Sequence, residues 1–503
     1  MRKELLVNAT PPETRVALME DQRVVEVFHE RRGHRGLVGN IYLGRVHRVL
    51  PGMQAAFVSI GLDRDAFLYV EDALPATVEE EGDESVVTAV NAANGGRGAP
   101  SEERPRIDDL VKEGQEIVVQ VTKDPMSGKG PRVTAALSLP GRTLVYLPSA
   151  REIGISRRIS DETERERLRQ ILGELPGSGG LIARTAAAGA GAAELAADQR
   201  YLMELAARIA RQAERSAAPA LLHRELDLAL RVVRDLVSTD FAAIRVDDEP
   251  THARLIEFLS AVAPSLVPAV ELCPSEPPLF ETAGVEQEIS RGLRRHVELP
   301  SGGSIVIQQT EALVAIDVNT GKFVGKDGLE DTVFAANLEA VPEIARQIRL
   351  RDLGGLLVID FIDMADPGHR REVFEKFELE LARDRARMRM LQLSEFGLVE
   401  VTRQRSRGNL EKTLTTGCPC CSGRGRVRTD LTLALDLRRD LLRPPSLYSR
   451  GETIRVRVPP SLARLLAEEE RTILEDVQER LGVDLEIQPD ATLSPEEYEI
   501  VPR

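Results

Sequence analysis

Two aspartates and an asparagine are the first residues here whose types and spacing could do chemistry. Asp317 ends the apolar run Glu311-Ala-Leu-Val-Ala-Ile-Asp317, and Asn319 follows two residues later. Asp360 ends a second run, Gly354-Gly-Leu-Leu-Val-Ile-Asp360, with Asp363 just beyond. Two carboxylates and an amide on one rim make an oxygen-rich site. Mg²⁺ favours such a site, with few protein oxygens, several waters and substrate phosphate completing the shell. The chemistry would be attack on phosphorus by a metal-activated water. The same residues also suit Asp N-caps or solvated loop ends.

The elements around them must bring the carboxylates together. Each apolar run has the pattern of a buried strand. Residues 331–351 between them read as a helix that Gly354 and Gly355 would terminate. Strand, helix, strand predicts a parallel pair with a crossover. Both Asp side chains would then emerge at the carboxyl ends of neighbouring strands, where open α/β sheets place ligands. Asn319 points to the same side as Asp317 if the chain stays extended.

Weaker signals lie elsewhere. Arg184-Thr185 follows a strand-like segment and precedes a Gly-Ala turn and a helix. A guanidinium beside a hydroxyl and backbone N–H groups suits a terminal phosphate, though a surface role is the plainer reading. Cys418-Pro-Cys-Cys421 has zinc-ligand spacing at Cys418 and Cys421, but the remaining cysteines, Cys273 and Cys420, do not complete four ligands. Gly-rich flanks argue against a redox Cys-x-x-Cys opening a thioredoxin-like helix. Gly321-Lys-Phe-Val-Gly325-Lys326-Asp327 imitates a P-loop. It is one residue short between the glycines, and Asp replaces the Ser/Thr that would hold Mg²⁺, so ATP binding is rejected. The seven histidines (29, 34, 47, 223, 252, 296 and 369) are scattered singly, which disfavours a His-pair acid/base ribonuclease.

The chain has 503 residues, a prior of roughly three domains. No apolar run approaches a membrane span, and the start carries no signal-peptide pattern. Four cysteines do not make a disulfide framework, so a soluble cytoplasmic protein is expected. The net charge of −15 excludes a generally basic nucleic-acid coat. Residues 381–428 nevertheless hold ten Arg and one Lys against four acidic residues, a local +7 that could grip a phosphate backbone. Solvated helix faces with i,i+4 ion pairs are the alternative.

In chain order, residues 1–36 read as a small antiparallel sheet that needs a later partner. Residues 37–136 show short strands with Gly-containing turns, suggesting a barrel, interrupted by a disordered insertion at 79–106. Phe57 and Phe67 on adjacent strands would stack on bases or fill the core. Residues 137–228 mix strands with Ala-rich helices, including one at 193–217. Residues 229–292 carry helices and one strand, 293–414 hold the paired aspartates, 415–428 the cysteine turn, and 429–503 a small α/β domain with one long helix at 461–481.

Ala315-Ile-Asp-Val-Asn-Thr-Gly321, Asn337-Leu-Glu-Ala340, Ile344-Ala-Arg-Gln-Ile-Arg-Leu-Arg-Asp-Leu-Gly-Gly355 and Val358-Ile-Asp-Phe-Ile-Asp-Met364 resemble the catalytic core of the bacterial ribonuclease E/G family. The resemblance runs from Glu4-Leu-Leu-Val-Asn8 past Cys418, and the ending is more like the G type than the E type. It implies a multidomain α/β and β fold: an OB-fold (S-one-type) barrel at 37–136 and an RNase-H-like subdomain from 1–36 and 229–292. A 5′-phosphate sensor region at 137–228, a DNase-I-like α/β catalytic domain at 293–414, a zinc link at 415–428 and a small dimerisation domain at 429–503 complete it. It also implies that Asp317 and Asp360 bind Mg²⁺, that Asn319 supports the scissile phosphate, and that Arg184 and Thr185 read a 5′ monophosphate. Phe57, Phe67, Lys123 and Arg387 become RNA contacts, and Cys418 and Cys421 share Zn²⁺ with a second protomer; Cys420 adds a third thiol to the usual pattern. The function implied is Mg-dependent endonucleolytic cleavage of single-stranded RNA in rRNA maturation and mRNA turnover, by a homodimer or higher homo-oligomer. The rival is a non-catalytic RNA-binding or ribosome-maturation scaffold.

Overall fold

The structure is a computed structural model describing residues 2–75, 105–125, 128–238, 240–274, 276–321, 328–391, 398–404, 408–443 and 449–501. The 79–106 insertion lies outside the described residues except for its last two; Arg106 already precedes the short helix Ile107–Leu110. The P-loop-like residues 322–327 lie outside them too. Two compact units divide the chain, 1–413 and 414–503.

In the first unit, the N-terminal strands find their core partner far along the chain. Strands Lys3–Ala9, Glu13–Glu20 and Arg23–Arg31 form an antiparallel meander, and the first pairs in parallel with Phe241–Val246. Val270–Leu272 extends that edge. Leu5, Val7, Val16 and Leu18 pack with Val232, Val233, Leu255 and Leu259 of helices Leu228–Leu236 and Glu249–Val262. The meander alone is too thin to exclude water; the helices complete it.

Strands Ile41–Leu50, Ala55–Ser59, Ala66–Tyr69, Arg132–Thr134 and Glu116–Lys123 form a closed, OB-like five-stranded barrel, since the last strand pairs back onto the first. Closure removes exposed sheet edges, which suits strands this short. A separate four-stranded sheet holds Ile153–Ile155, Gly180–Ala183, Leu144–Leu147 and Leu139–Pro140. Helix Ala192–Arg215 packs on it and ends before the expected 217.

The sheet carrying the paired aspartates has six strands: His296–Glu298, Ser304–Gln309, Leu313–Asn319, Gly355–Asp360, Leu398–Arg403 and Met388–Met390. Only Leu313–Asn319 and Gly355–Asp360 run parallel, and helix Leu329–Leu350 crosses between them. The helix stops before the glycines, where Asp352 takes a left-handed φ of 48°. Helices Leu329–Leu350 and Pro367–Leu381 cover one face, burying Val314, Ile316, Leu357, Ile359, Val341, Ile344 and Phe377. The expectation of fully buried strands is corrected here: Ala315, Leu356, Glu400 and Thr402 are exposed on the other face. An apolar residue at an outward position hides the two-residue alternation of a one-sided sheet.

Two arginines of the crossover helix, Arg349 buried and Arg346 nearly so, stitch this sheet to the N-terminal meander. Arg349 grips Glu20 in a two-pronged pair at 3.0 and 2.9 Å and also reaches Glu26. Arg346 bonds Glu343, Glu288 and the Val24 carbonyl. Removing one partner would strand a charge away from water.

The second unit has a three-stranded sheet in the order Asp484–Pro489, Thr453–Val458, Glu499–Val501. Helices Asp430–Leu442 and Arg471–Leu481 cover it with Leu433, Leu437, Ile473 and Val477. The single helix expected at 461–481 is broken. Pro460–Arg464 widens into a π-helical turn at Leu465–Glu469, and Glu470 leaves helical geometry. Leu462 and Leu466 are fully buried there, so packing overrides the charged, helix-favouring sequence. No helix among the described residues is long and apolar enough to cross a membrane.

Candidate active site and RNA-contact surfaces

Asp317 and Asp360 are direct register partners across the parallel strand pair. Strand periodicity turns both outward, onto the open face of the sheet rather than into a crevice beyond its edge. Asn319, two residues on, donates from Nδ2 to Asp317 Oδ2 at 2.7 Å and so holds that carboxylate. Gly321 then turns the chain with φ 58°; a Cβ there would lie 2.4 Å from the Gly302 carbonyl oxygen, so only glycine fits the exit.

Burial, then the neighbouring charges of Asp317 and Asp363, push the Asp360 carboxyl above its usual range. A carboxyl raised by neighbouring carboxylates lies in a field of negative charge that a cation relieves. The donors therefore fit Mg²⁺ in their chemistry. No group of three His, Cys, Asp or Glu side chains able to hold a metal occurs among the described residues. A hard cation that keeps most of its waters does not need three.

Two residues that the motif reading did not assign a role hold the loop after Asp360. Asn337, fully buried in the crossover helix, donates to the Ile362 carbonyl at 2.8 Å and accepts from the Ile362 N–H at 3.1 Å. Glu330 accepts from the N–H groups of Ala365 and Asp366 at 3.1 and 3.0 Å. Asn337 could have been found as the polar residue on an otherwise apolar helix face; Glu330 carried no such signal.

On the barrel, Phe57 and Phe67 are half-buried on the outer wall, ring centroids 5.7 Å apart and edge to face. They stand opposite each other on adjacent strands. Tyr69 lies 5.6 Å from Phe67, and Arg132 sits over the Tyr69 ring. Tyr69 and Arg132 were missed, although Tyr69 follows Phe67 at the two-residue spacing that keeps one face. Lys123 is exposed and pairs with Arg132 across the sheet. Arg387 is exposed in the turn before strand Met388–Met390, its carbonyl accepting from Gln404.

Arg184 leaves strand Gly180–Ala183, and Thr185 opens a short turn leading to helix Ala192–Arg215. Arg184 is mostly buried; its Nη1 donates to the Gly141 carbonyl at 2.6 Å and to Asp235 at 2.9 Å. Thr185 Oγ1 lies 3.3 Å from Ser156 Oγ. The Gly141 loop is held by Asp198, which accepts from the N–H groups of Arg142, Thr143 and Leu144. A Cβ at position 141 would meet that carboxylate at 2.5 Å.

The family model described as "Ribonuclease E/G family" matches residues 138–406. The chain is 42% identical to ribonuclease G of Escherichia coli K12 over the full length of both. The chain belongs to the ribonuclease E/G family. It is also 38% identical to ribonuclease G of Haemophilus influenzae over 99% of each chain. Against ribonuclease E of E. coli K12 it is 37% identical, covering 99% of this chain and 46% of that one.

A second model, "RNase E/G, Thioredoxin-like domain", matches residues 417–503. In this ribonuclease E/G chain, Cys418–Cys421 forms a turn before helix Asp430–Leu442 rather than opening a helix. Cys418 and Cys420 are exposed, and Cys421 is buried. The Gly425 N–H donates to Cys421 Sγ at 3.3 Å. N–H groups of Cys421 and Cys420 hold the Cys418 thiol below its ordinary range. Donors aimed at the Cys418 sulfur favour its thiolate, so the turn fits Zn²⁺ with part of a tetrahedral set.

Proposed function

We propose that this chain is a Mg²⁺-dependent endoribonuclease that cleaves single-stranded RNA in rRNA maturation and mRNA turnover, with stimulation by a 5′ monophosphate. That it is an endoribonuclease follows from its family and from its full-length match to ribonuclease G. The observation that carries the mechanism is the register pairing of Asp317 with Asp360 on an open sheet face, with Asn319 bonded to the first. These two carboxylates would hold Mg²⁺. When bound, the ion supplies charge neutralisation at a phosphoryl oxygen and a water of lowered pKa as nucleophile.

The remaining steps belong to the chain. Asn319 keeps Asp317 in one rotamer, and Asn337 and Glu330 keep the loop after Asp360 in place. The open face admits a single strand without a deep pocket. Phe57 and Phe67 offer stacking surface to bases, while Lys123 and Arg387 meet phosphates. Attack on phosphorus with departure of the 3′ oxygen leaves 5′-phosphate and 3′-hydroxyl ends. Arg184 and Thr185 would grip a terminal phosphate remote from the cleavage point, raising local substrate concentration rather than changing the chemistry. Cys418 and Cys421 would share one Zn²⁺ with the same pair of a second chain.

Asp317→Asn and Asp360→Asn test the reading. Each should reduce Mg²⁺-dependent cleavage of single-stranded RNA to background while RNA binding stays near wild type, because binding draws on the barrel and the arginines. Cleavage retained in either purified variant would overturn the metal assignment. RNA binding by the wild-type chain with no Mg²⁺-dependent cleavage would leave the scaffold reading.

A further inference from the structure

Asp235 sits at the end of helix Leu228–Leu236 in the grip of arginines from three parts of the chain. Its carboxylate accepts from Arg234 Nε at 3.0 Å and Nη2 at 3.1 Å, and from Arg184 Nη1 at 2.9 Å. The main-chain carbonyls of Asp235 and Leu236 accept from Arg385 at 3.2 and 2.9 Å. Arg385 lies between helix Pro367–Leu381 and strand Met388–Met390, in the sheet that carries Asp317 and Asp360. Arg158, from the Arg184 side, donates to the Arg385 carbonyl. One helical turn thus meets Arg184 with its side chain and the catalytic sheet's own segment with its main chain.

The consequence is geometric. Arg184 spends Nη1 on Asp235 and Gly141; its Nε and Nη2 make no hydrogen bond among the described residues. A guanidinium is planar, so fixing Nη1 fixes the direction of the Nε–Nη2 edge. That edge is the fork that takes two oxygens of one phosphate. Burial pushes the Asp235 carboxyl up, but the charges of Arg234 and Arg184 outweigh it and hold the group at about 2, so it is ionised at neutral pH.

We infer that Asp235 is a positioning residue for 5′-phosphate recognition, aiming the open edge of Arg184 while its helical turn ties that arrangement to the catalytic sheet through Arg385. The inference rests on the proposed reading of Arg184 and Thr185 and adds a residue to it.

The test uses the full chain with Asp235→Asn, Arg184→Gln and the double variant. Cleavage rates are compared on one RNA carrying either a 5′ monophosphate or a 5′ hydroxyl. Affinities for the same two RNAs are measured in EDTA. D235N should lower the monophosphate-to-hydroxyl ratio about tenfold in both measurements, as expected when a charge-assisted contact is misaimed. The double variant should fall no lower than R184Q, because both act on one contact. If R184Q keeps the wild-type ratio, the phosphate is read elsewhere and both readings fall. If R184Q loses the ratio and D235N keeps it, the sensor stands and the role of Asp235 is overturned. A ratio raised by D235N would make Asp235 a competitor for Arg184 and overturn the inference too. Asp235→Glu keeps the charge but displaces it by one methylene, and it covers a D235N that does not fold: a folded D235E with the wild-type ratio refutes the inference, and a lowered ratio supports it.

Discussion

The amide of Asn337 is a small lever on a large site. Both its polar atoms are spent on the main chain of Ile362, two residues past Asp360. Asn337→Ala leaves the partly buried N–H and carbonyl of Ile362 unpaired, at up to about 1–3 kcal/mol for each group. Urea melts should show that loss, and cleavage should fall with it as the loop releases Asp360. An unchanged melt would mean that water replaces the amide. Asp235 gives a second residue-scale expectation, through pH. Its folded carboxyl is depressed to about 2 from an ordinary 3.8. A depressed acid contributes stability that is fully present above its unfolded pKa and is lost as pH falls through the folded one. The stability difference between wild type and D235N should therefore be flat above about pH 4 and shrink toward pH 2, an effect on the order of 2 kcal/mol. A difference that keeps its size down to pH 2 would show that the ion pairs with Arg234 and Arg184 do not stabilise the fold.

At the scale of elements, the barrel wall and the sheet carrying Asp317 and Asp360 each leave one face uncovered, the face that the proposed function would use. The barrel interior is filled by Val46, Val58, Leu68, Val119 and Val133, so Phe57 and Phe67 are not needed to fill it. Their rings pack edge to face on the outer wall instead. Phe57→Ala and Phe67→Ala should each weaken single-stranded RNA binding by roughly 5- to 150-fold, the range of one lost base stack. The measurement is fluorescence anisotropy in an Asp360→Asn background, with thermal melting alongside. A large drop in melting temperature with unchanged affinity would return both rings to a structural role. The catalytic sheet follows the same logic, with helices on one face and Asp317, Asn319 and Asp360 on the other. A covered second face would bury the carboxylates and, on the proposed reading, exclude the RNA strand.

For the whole molecule, the incomplete thiol set in the second unit carries the expectation. On the proposed reading, Cys418 and Cys421 would provide two of the four ligands that a closed zinc site needs. Metal analysis of purified protein should find about half a zinc per chain, the stoichiometry of a four-thiolate site shared by two chains. A variant carrying Cys418→Ser and Cys421→Ser should lose that zinc and sediment as a smaller species. One zinc per chain, or unchanged sedimentation of the variant, would refute sharing. The charge distribution belongs to this scale as well. A chain of net −15 that binds RNA must do so locally, and the arginines of residues 381–428 are the local excess. Structure qualifies that excess, because Arg403 is spent on Asp352 and Asp384 and Arg385 on the carbonyls of Asp235 and Leu236.

The paired Asp-terminated runs, the crossover helix and the short barrel strands were legible in the sequence because each is a local pattern of apolar spacing and turn residues. The family motifs were legible for the same reason. What tertiary structure alone decided is which residues meet. The register that sets Asp317 opposite Asp360 depends on pairing across a helix, and no spacing rule specifies it. The open face was hidden because Ala315 and Leu356 are apolar yet point outward. The break near Glu470 came from core packing acting against helix-favouring residues. Asp235 had no signal as one acid among many. It gains its place only when residues 141, 184, 234 and 385 converge, because long-range ion pairs are set by the folded path of the chain and not by local sequence.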